Sequence, residues 1–370
     1  MVQLPKLSRR ARWAIPAGAL VVTGGVMAGS LITAAQAAPG LPSRTSAQLL
    51  AEVADSTTPP LTGTVVETAS LGLPALPATG NPTSLSSLLT GSHTVRVWYS
   101  SPQHFRLAVP ESLSESDVIR DGSTAWLWQS TLNKVTKYTL PAHPARNQAV
   151  PKQPLTPQQA AQQVLAAVGP TTTVSVASNV TVAGQAAYAL NLAPKDHRSL
   201  IGQVQIAIDG SNGVPLRLQV FARGASTPAF QVGYTAIQFV APAPADLSFT
   251  PPPGAKVTQE NLTGHSGTKG QEPAGAGTIG SGWLTVLKLP SSALTPGAPA
   301  PGSSGSGPAS AEGAAVLHAL LASATPVHGA WGSGQLLRTG LVSVLITDQG
   351  TAYVGAVEPS VLYAAAQAGH

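Results

Sequence analysis

The chain has 370 residues and a formal net charge of +5, but only 9% of its residues are charged, against about 25% in an ordinary soluble domain. Hydrophobic residues make up 43% of the chain, so a sizeable core is expected. Cysteine is absent, which excludes disulfides, catalytic thiols, Cys-ligated zinc, iron–sulfur clusters and a thiol-linked lipid anchor. The length allows about two domains.

Residues 1–37 have the pattern of a secretory signal peptide. Four basic residues, the last of them Arg12, precede an uncharged apolar run over 13–32, and Ala35 and Ala37 form a small-x-small cleavage site. The apolar run is also long enough to cross a bilayer as an uncleaved anchor. Either way, residues 38 onward are expected to be extracytoplasmic, in the cell envelope or secreted. They carry 16 basic and 15 acidic residues, so the net charge belongs mainly to the export signal and no nucleic-acid partner is expected.

Two helices are predicted from their start signals. Thr45 and Gln48 fit a capping box ahead of an apolar run, and Thr156 and Gln159 fit a second one, with Pro157 at the first helical position. The second helix is expected to end before residue 169, which is a glycine followed by proline.

Most of the remaining chain up to residue 259 reads as short strands. The runs are rich in β-branched and aromatic residues and are separated by turn residues, among them Asp121 and Gly122. Consecutive strands with short turns pair antiparallel, so residues 41–259 are predicted to form a large antiparallel sheet with few helices. The predicted strands are 61–70, 93–99, 104–109, 116–120, 125–130, 134–140, 172–176, 186–192, 203–208, 216–222 and 230–239.

The last part of the chain is predicted to be a small α+β unit behind a flexible connection. Residues 260–313 are largely Gly/Ser/Pro/Ala-rich linkers, interrupted by one strand at 283–289. In the small unit, 314–370, the expected elements are a helix at 314–322, a hairpin of strands 334–346 and 351–357, and a closing helix at 361–367.

No catalytic constellation is present in the sequence. No Ser has the Gly-x-Ser-x-Gly context, no His-Glu-x-x-His occurs, and the Gly-rich stretches lack the Lys of a phosphate loop. The sequence therefore predicts neither an enzyme, nor a cofactor, nor a metal site. The acidic residues Glu111, Glu115, Asp117 and Asp121 are expected to form a solvated strand edge and turn.

Several strands carry large apolar side chains on both faces. Alternation places Trp126 and Trp128 opposite Ala125 and Leu127. Two arrangements satisfy this pattern: a sheet packed between helices and a second layer, or a curved sheet whose concave side is an apolar cavity. A structural envelope module with a filled core and no ligand is a further interpretation.

Three motifs resemble the LolA-like lipoprotein carriers. Residues 97–106 (VWYSSPQHFR) resemble the family's Leu-Trp…Arg-Pro-x-x-Phe passage. Residues 118–128 (VIRDGSTAWLW) resemble its next block, and residues 249–257 (FTPPPGAKV) resemble its closing Phe-x-x-Pro-x-Gly-x-x-Val. The order and spacing fit over residues 45–258. One position departs from the pattern, because Ser101 stands where the family often has the Arg that helps to hold its lid.

The resemblance implies an α+β fold: a half-open antiparallel β-barrel, or curved sheet, with a helical lid over an apolar cavity. It implies a non-enzymatic carrier for acyl chains of lipids or lipoproteins. The same fold occurs in RseB-like envelope-stress regulators, which add a smaller C-terminal domain and bind a membrane anti-sigma factor, and this is the alternative function. The candidate cavity-wall residues are Trp98, Phe105, Trp126, Trp128 and Phe221.

Overall fold

The computed structural model describes residues 40–72, 90–110, 114–140, 156–159, 161, 169–261, 275–294 and 319–369. The predicted signal peptide, most of the predicted second helix, residues 314–318 of the predicted third helix and much of the predicted linkers lie outside these residues. Residues 157–159 and 319–322 are helical. The other helices and strands are α1 (Ser46–Asp55), β1 (Leu61–Ser70), β2 (Thr90–Ser101), β3 (His104–Pro110), β4 (Glu115–Asp121), β5 (Thr124–Gln129), β6 (Lys134–Thr139), β7 (Thr172–Val182), β8 (Gln185–Pro194), β9 (Ile201–Asp209), β10 (Pro215–Ala222), β11 (Pro228–Gln238), α2 (Pro244–Leu247), β12 (Lys256–Asn261), β13 (Gly277–Ile279), β14 (Val286–Pro290), β15 (Thr325–Gly329), β16 (Gly332–Arg338), β17 (Ser343–Thr347), β18 (Thr351–Gly355) and α3 (Pro359–Ala368).

Both predicted capping boxes are present. The Thr45 hydroxyl accepts a hydrogen bond from the backbone N–H of Gln48 (3.2 Å), and the Gln48 side chain accepts one from the N–H of Thr45 (2.8 Å). The same reciprocal bonds join Thr156 and Gln159, at 3.0 and 3.3 Å. Each pair satisfies N–H groups that the first helical turn leaves without a partner, so the two predicted helix starts are confirmed.

Twelve strands form one sheet, in the order β12-β6-β5-β4-β3-β2-β1-β11-β10-β9-β8-β7. Neighbouring strands are antiparallel except β12 and β6, which are parallel. The outer strands of this order, β7 and β12, are not paired with each other, so the described sheet is open. Gly122 and Ser123 form the β4–β5 turn next to the predicted residue Asp121, which pairs with Thr124, and Gly122 takes the positive φ (60°) that this turn requires. The predicted large antiparallel sheet with few helices is confirmed.

The half of the sheet that runs from β11 to β7 is strongly curved. Three strands, β10, β9 and β8, separate β11 from β7, which would place these two about 19 Å apart in a flat sheet. Residues of β11 and β7 nevertheless approach within 8 Å, Cα to Cα. This half is therefore rolled on itself, and the buried side chains of its inner face fill it.

A second sheet has six strands, in the order β13-β14-β18-β17-β16-β15, and α3 contacts β17 and β18. The prediction of a single strand over 334–346 was wrong. The chain reverses between β16 and β17, where the Thr339 hydroxyl accepts a hydrogen bond from the N–H of Val342 (2.9 Å). The strand predicted from 283 starts at Val286, because Gly282–Leu284 form a 3₁₀ turn. The short strand β13 lies inside the stretch that was predicted to be a linker.

Backbone and side-chain hydrogen bonds join the two sheets. Ser199 and Val357 form an isolated antiparallel bridge, beside which the N–H of Leu200 donates to the Ala356 carbonyl (2.9 Å). At a second point the Trp283 Nε1–H donates to the Thr172 hydroxyl (2.8 Å). The six-stranded sheet is thus attached directly to the β7–β9 end of the larger sheet.

Candidate functional site

The strand register divides the side chains of the twelve-stranded sheet between two faces. One row of directly opposed residues crosses six strands from β8 to β2 on a single face. Four of its members are almost fully buried in the rolled half, which makes this the concave face. The row consists of Leu190, Ile206, Leu218, Val232, Glu67 and His93.

A second row on the concave face continues the apolar surface away from the rolled half. This row, called the apolar row below, consists of the opposed residues Val97, Leu107, Val118 and Leu127 on β2 to β5. Val97 is buried in the main core, and Leu107 packs against it. Val118 and Leu127 are only half-buried and lie outside that core. The apolar surface therefore extends further across the sheet than the core that covers it.

A parallel row lies two residues nearer to the β2–β3 and β4–β5 turns. This row, called the rim row below, consists of Tyr99, Phe105, Arg120, Ala125 and Tyr138 on β2 to β6. All five side chains are half-buried. The rim row places one cation, Arg120, beside the apolar row.

Helical residues pack on the concave side. Leu49 and Val53 of α1 are fully buried in the main core, together with Ala161 of the second capped segment. The Thr58 hydroxyl donates a hydrogen bond to Gln158 and so ties the chain after α1 to that segment. The apolar face of α1 is therefore used against the sheet, as its amphipathic sequence predicts.

One carboxyl group is buried on the concave face. Glu67 of β1 is 6% exposed and stands directly opposite His93 of β2. Burial raises the pKa of Glu67, and the neighbouring His93 partly offsets this shift. The pair lies at the opposite end of the strands from the rim row.

The three candidate tryptophans lie on the convex face. Trp98 and Trp126 share one row with Arg106, and Trp128 belongs to the adjacent row. The Arg106 guanidinium lies over the Trp98 ring (5.3 Å), and the Lys137 ammonium lies over the Trp126 ring (5.1 Å). All three tryptophans are half-buried, and the two cation–π contacts occupy one side of the first two rings.

The segment between β11 and β12 covers part of the convex face. Helix α2 contacts β3 and β4, and the Phe249 ring packs against Trp126 with centroids 5.6 Å apart. The ring of Trp126 is therefore contacted by both Phe249 and Lys137 on the convex face. Of the five candidate wall residues, Phe105 alone is in the rim row of the concave face.

A partly buried ion pair lies on the same convex face. Arg106 is bonded to Asp117, whose side chain is 1% exposed, and Glu115 lies 3.4 Å from the same guanidinium. Arg106 Nε and Asp117 Oδ1 have no hydrogen-bond partner. Burial and the hydrogen bond with Glu115 raise the pKa of Asp117 to about 7, while Arg106 acts in the opposite direction. The expected solvated acidic group is thus wrong for Asp117, whose side chain is withdrawn from water at a position opposite Trp128.

The fifth candidate, Phe221, lies elsewhere. It is opposite Gln203 on the convex side, at the end of β10, and lines a cavity of about 400 Å³. Arg223 borders the same cavity, and its guanidinium donates to the carbonyls of Asp196 (3.1 Å) and Ser199 (2.9 Å). These bonds hold the loop that carries the bridge to the second sheet, so this cavity is separate from the apolar row.

Sequence reasoning missed the residues that carry the concave site, which are Leu107, Val118, Arg120 and Leu127. The available signal was the register of the β4–β5 hairpin, since a two-residue turn at Gly122 and Ser123 puts Val118 opposite Leu127. In the described part of the chain, no three His, Asp or Glu side chains group as a metal site. No helix among the described residues is long and apolar enough to span a bilayer.

No protein-family model and no curated protein sequence matches the chain. Solved structures do resemble it. The MucA/MucB complex of Pseudomonas aeruginosa matches at 15% identity and a TM-score of 0.42, over 87% of this chain and 96% of that one. A LolA-superfamily protein of Nitrosomonas europaea matches at 8% and 0.25, over 56% and 99%. An uncharacterized conserved protein of Thermus thermophilus matches at 12% and 0.33, over 58% and 99%.

LolA-superfamily and MucB (RseB-like) proteins are among these structural neighbours. The expected resemblance to LolA-like and RseB-like proteins is therefore confirmed among the solved structures. With identities of at most 15% and TM-scores below 0.5, however, the likenesses carry no argument about function.

Proposed function

We propose that this chain is an exported, non-enzymatic carrier or binding protein that holds acyl chains on the concave face of its twelve-stranded sheet. The observation that carries the proposal is the apolar row. It leaves the main core between Leu107 and Val118 and continues as half-buried apolar side chains to Leu127. A surface of this kind gains free energy when an apolar ligand covers it.

The dimensions of the apolar row suit a single acyl chain. From Val97 to Leu127 the row crosses three strand spacings, about 14 Å. Each methylene removed from water contributes about 0.8 kcal/mol, so ten buried methylenes contribute about 8 kcal/mol before the cost of association is subtracted. Affinity of this origin needs no catalytic residue and no cofactor.

We further propose that α1 is part of a lid over this face. Its side chains Leu49 and Val53 already cover the concave side of the rolled half. The segment before α1 is fastened to the sheet, since Arg44 lies 5.1 Å from the ring of Tyr188, whose hydroxyl donates to the Pro42 carbonyl (2.7 Å). Arg44 also pairs with Glu52 of α1. A helix held at its start and packed through apolar contacts can shift over the sheet with few polar bonds to break.

The signal-peptide pattern of residues 1–37 supports an extracytoplasmic place of action. Acyl chains that leave a membrane there need a protein surface that shields them from water. The low charged fraction of the chain, 9%, fits a protein with an apolar cargo.

The first test compares two valine substitutions in the exported protein. Val118→Gln places an amide in the apolar row, whereas Val257→Gln makes the same change on the exposed convex side of β12. Binding of a fluorescent fatty acid is expected to weaken about fivefold to tenfold for Val118→Gln and to stay unchanged for Val257→Gln. The absence of any lipid on the purified wild-type protein in native mass spectrometry, together with no fatty-acid binding, would contradict the proposal.

A second function is favoured by the attached six-stranded sheet. MucB is described in complex with MucA, and we propose as the alternative that this chain binds the extracytoplasmic part of an anti-sigma factor. Leu287 on β14 is 44% exposed and offers an apolar contact on the second sheet.

Titration of a purified anti-sigma domain against wild type, Leu287→Asp and Val118→Gln separates the functions. Binding lost only in Leu287→Asp supports the regulator, and no binding to wild type excludes it.

A further inference from the structure

We propose that Arg120 binds the carboxylate of a long-chain fatty acid whose hydrocarbon tail lies along the apolar row. This inference rests on the proposed carrier function and names the ligand class and its orientation. Arg120 belongs to the rim row, directly between Phe105 on β3 and Ala125 on β5. Val118, in the apolar row, is two residues away on the same strand and the same face, at a distance of about 7 Å.

The guanidinium of Arg120 is oriented by the turn beside it. Its Nε donates to the carbonyl of Gly122 at 3.3 Å, and Gly122 is held in the left-handed conformation of the β4–β5 turn. A guanidinium that is bonded only through Nε has both Nη groups available to a ligand. Together these two groups form the planar fork that fits a carboxylate. The side chain is half-buried, so this fork lies at the boundary between apolar surface and water.

Arg120 has no carboxylate partner in the described part of the chain. Arg106, on the neighbouring strand but the opposite face, is paired with Asp117 and Glu115, whereas Arg120 takes part in none of the described ion pairs. An arginine on a half-buried apolar face loses hydration without a matching charge. An anionic ligand supplies that charge.

The charge of the rim row favours a monoanion. Arg120 is the only basic residue among the five rim residues, and the next residue in register, Glu260 on β12, is acidic. Glu260 is three strands from Arg120, about 14 Å away. One cation with an acidic residue beyond it matches a single negative charge better than the two charges of a phosphate monoester. A fatty-acid carboxylate has that charge and the planar shape of the guanidinium fork.

The test compares ligands that share a tail and differ in the head group. Dodecanoate, 1-dodecanol and dodecyl phosphate are titrated calorimetrically into wild type, Arg120→Gln, Arg120→Lys and Arg96→Gln. Arg96 is an exposed arginine on the convex face and provides the matched control. Wild type is expected to bind dodecanoate about tenfold more tightly than dodecanol. Arg120→Gln should remove this preference without changing dodecanol affinity, Arg120→Lys should keep part of it, and Arg96→Gln should keep all of it.

The outcomes separate the inference from the function on which it rests. Equal binding of dodecanol and dodecanoate by wild type, or an unchanged preference in Arg120→Gln, overturns the role of Arg120 and leaves the carrier function standing. Tighter binding of dodecyl phosphate than of dodecanoate overturns the carboxylate assignment. Binding of none of the three ligands overturns both. A thermal unfolding midpoint of Arg120→Gln close to that of wild type shows that a lost preference is not a folding defect.

Discussion

Trp126 and Leu127 are consecutive residues of β5 that serve opposite sides of the sheet. Trp126 faces the convex side, where Phe249 and Lys137 contact its ring. Leu127 faces the concave side and ends the apolar row beside Val118. The two side chains therefore lie on opposite faces of the sheet, and only the concave one is tied to the proposed ligand.

This relationship predicts opposite effects of two neighbouring substitutions. Trp126→Ala removes a half-buried ring that packs against Phe249 and is expected to cost about 2–3 kcal/mol of unfolding free energy, with fatty-acid affinity unchanged. Leu127→Ser is expected to cost about 1 kcal/mol of stability and to weaken fatty-acid binding about fivefold. Urea unfolding gives the unfolding free energy of each variant, and ligand titration gives its fatty-acid affinity. Weakened binding in Trp126→Ala at a temperature where the variant is folded would place the ligand on the convex side instead.

The course of the strands was predictable because local chemistry determines it. β1 spans residues 61–70 as predicted, since its β-branched Thr and Val residues favour extended backbone. The capped helix start at Thr45 follows from side chains three residues apart. The missed reversal between β16 and β17 is also local. The Thr339 N–H donates to the Val342 carbonyl, and the Thr339 hydroxyl accepts from the Val342 N–H, within an otherwise strand-like run.

The face that carries the site could not be predicted in the same way. β4 has Val118 and Ile119 side by side, and β5 has Leu127 beside Trp128, so alternation leaves both faces apolar. The choice between the faces is made by residues more than 100 positions further along, where α2 and Phe249 cover the convex side. Large aromatic rings suggested a ligand surface, whereas smaller aliphatic side chains form the half-buried row.

The buried Asp117 predicts how stability depends on pH. The pKa of Asp117 is about 7 in the folded protein and close to the ordinary aspartate value of 3.8 in the unfolded chain. The folded state therefore binds more protons between these values, and the unfolding free energy is expected to fall as pH rises from about 4 to about 7. The limiting slope is about 1.4 kcal/mol per pH unit. Chemical unfolding measured at intervals from pH 4 to pH 8 tests this.

Two conservative substitutions serve as controls for the pH dependence. Asp117→Asn removes the titrating group and should flatten the decline over this pH range, whereas Asp121→Asn, at an exposed turn position, should leave it intact. Stability of the wild type that rises with pH over this range would mean that the ion pair with Arg106 outweighs the burial of Asp117.

Any side chain at Gly63, where β1 pairs with β11, is expected to destabilise the fold. A Cβ added there would lie 2.8 Å from the Ala236 carbonyl oxygen and 2.9 Å from the ring of Tyr234. Tyr234 is itself buried, and the β1–β11 register shifts next to this point. Gly63→Ala is expected to lower unfolding free energy by about 2 kcal/mol. Gly277→Ala, which meets nothing within 4 Å, provides the control and should have little effect on the thermal midpoint.

The capping box of α1 predicts a link between helix stability and ligand exchange. Thr45→Ala removes the hydroxyl that accepts the Gln48 N–H and is expected to destabilise the helix by about 1 kcal/mol. If α1 is part of the lid, its amides should exchange with deuterium about fivefold faster, and a bound fatty acid should dissociate faster by a similar factor. Ser46→Ala, at the first helical position, should change neither rate. Faster amide exchange with an unchanged dissociation rate would show that α1 does not control access to the concave face, because the ligand would then leave without the helix opening.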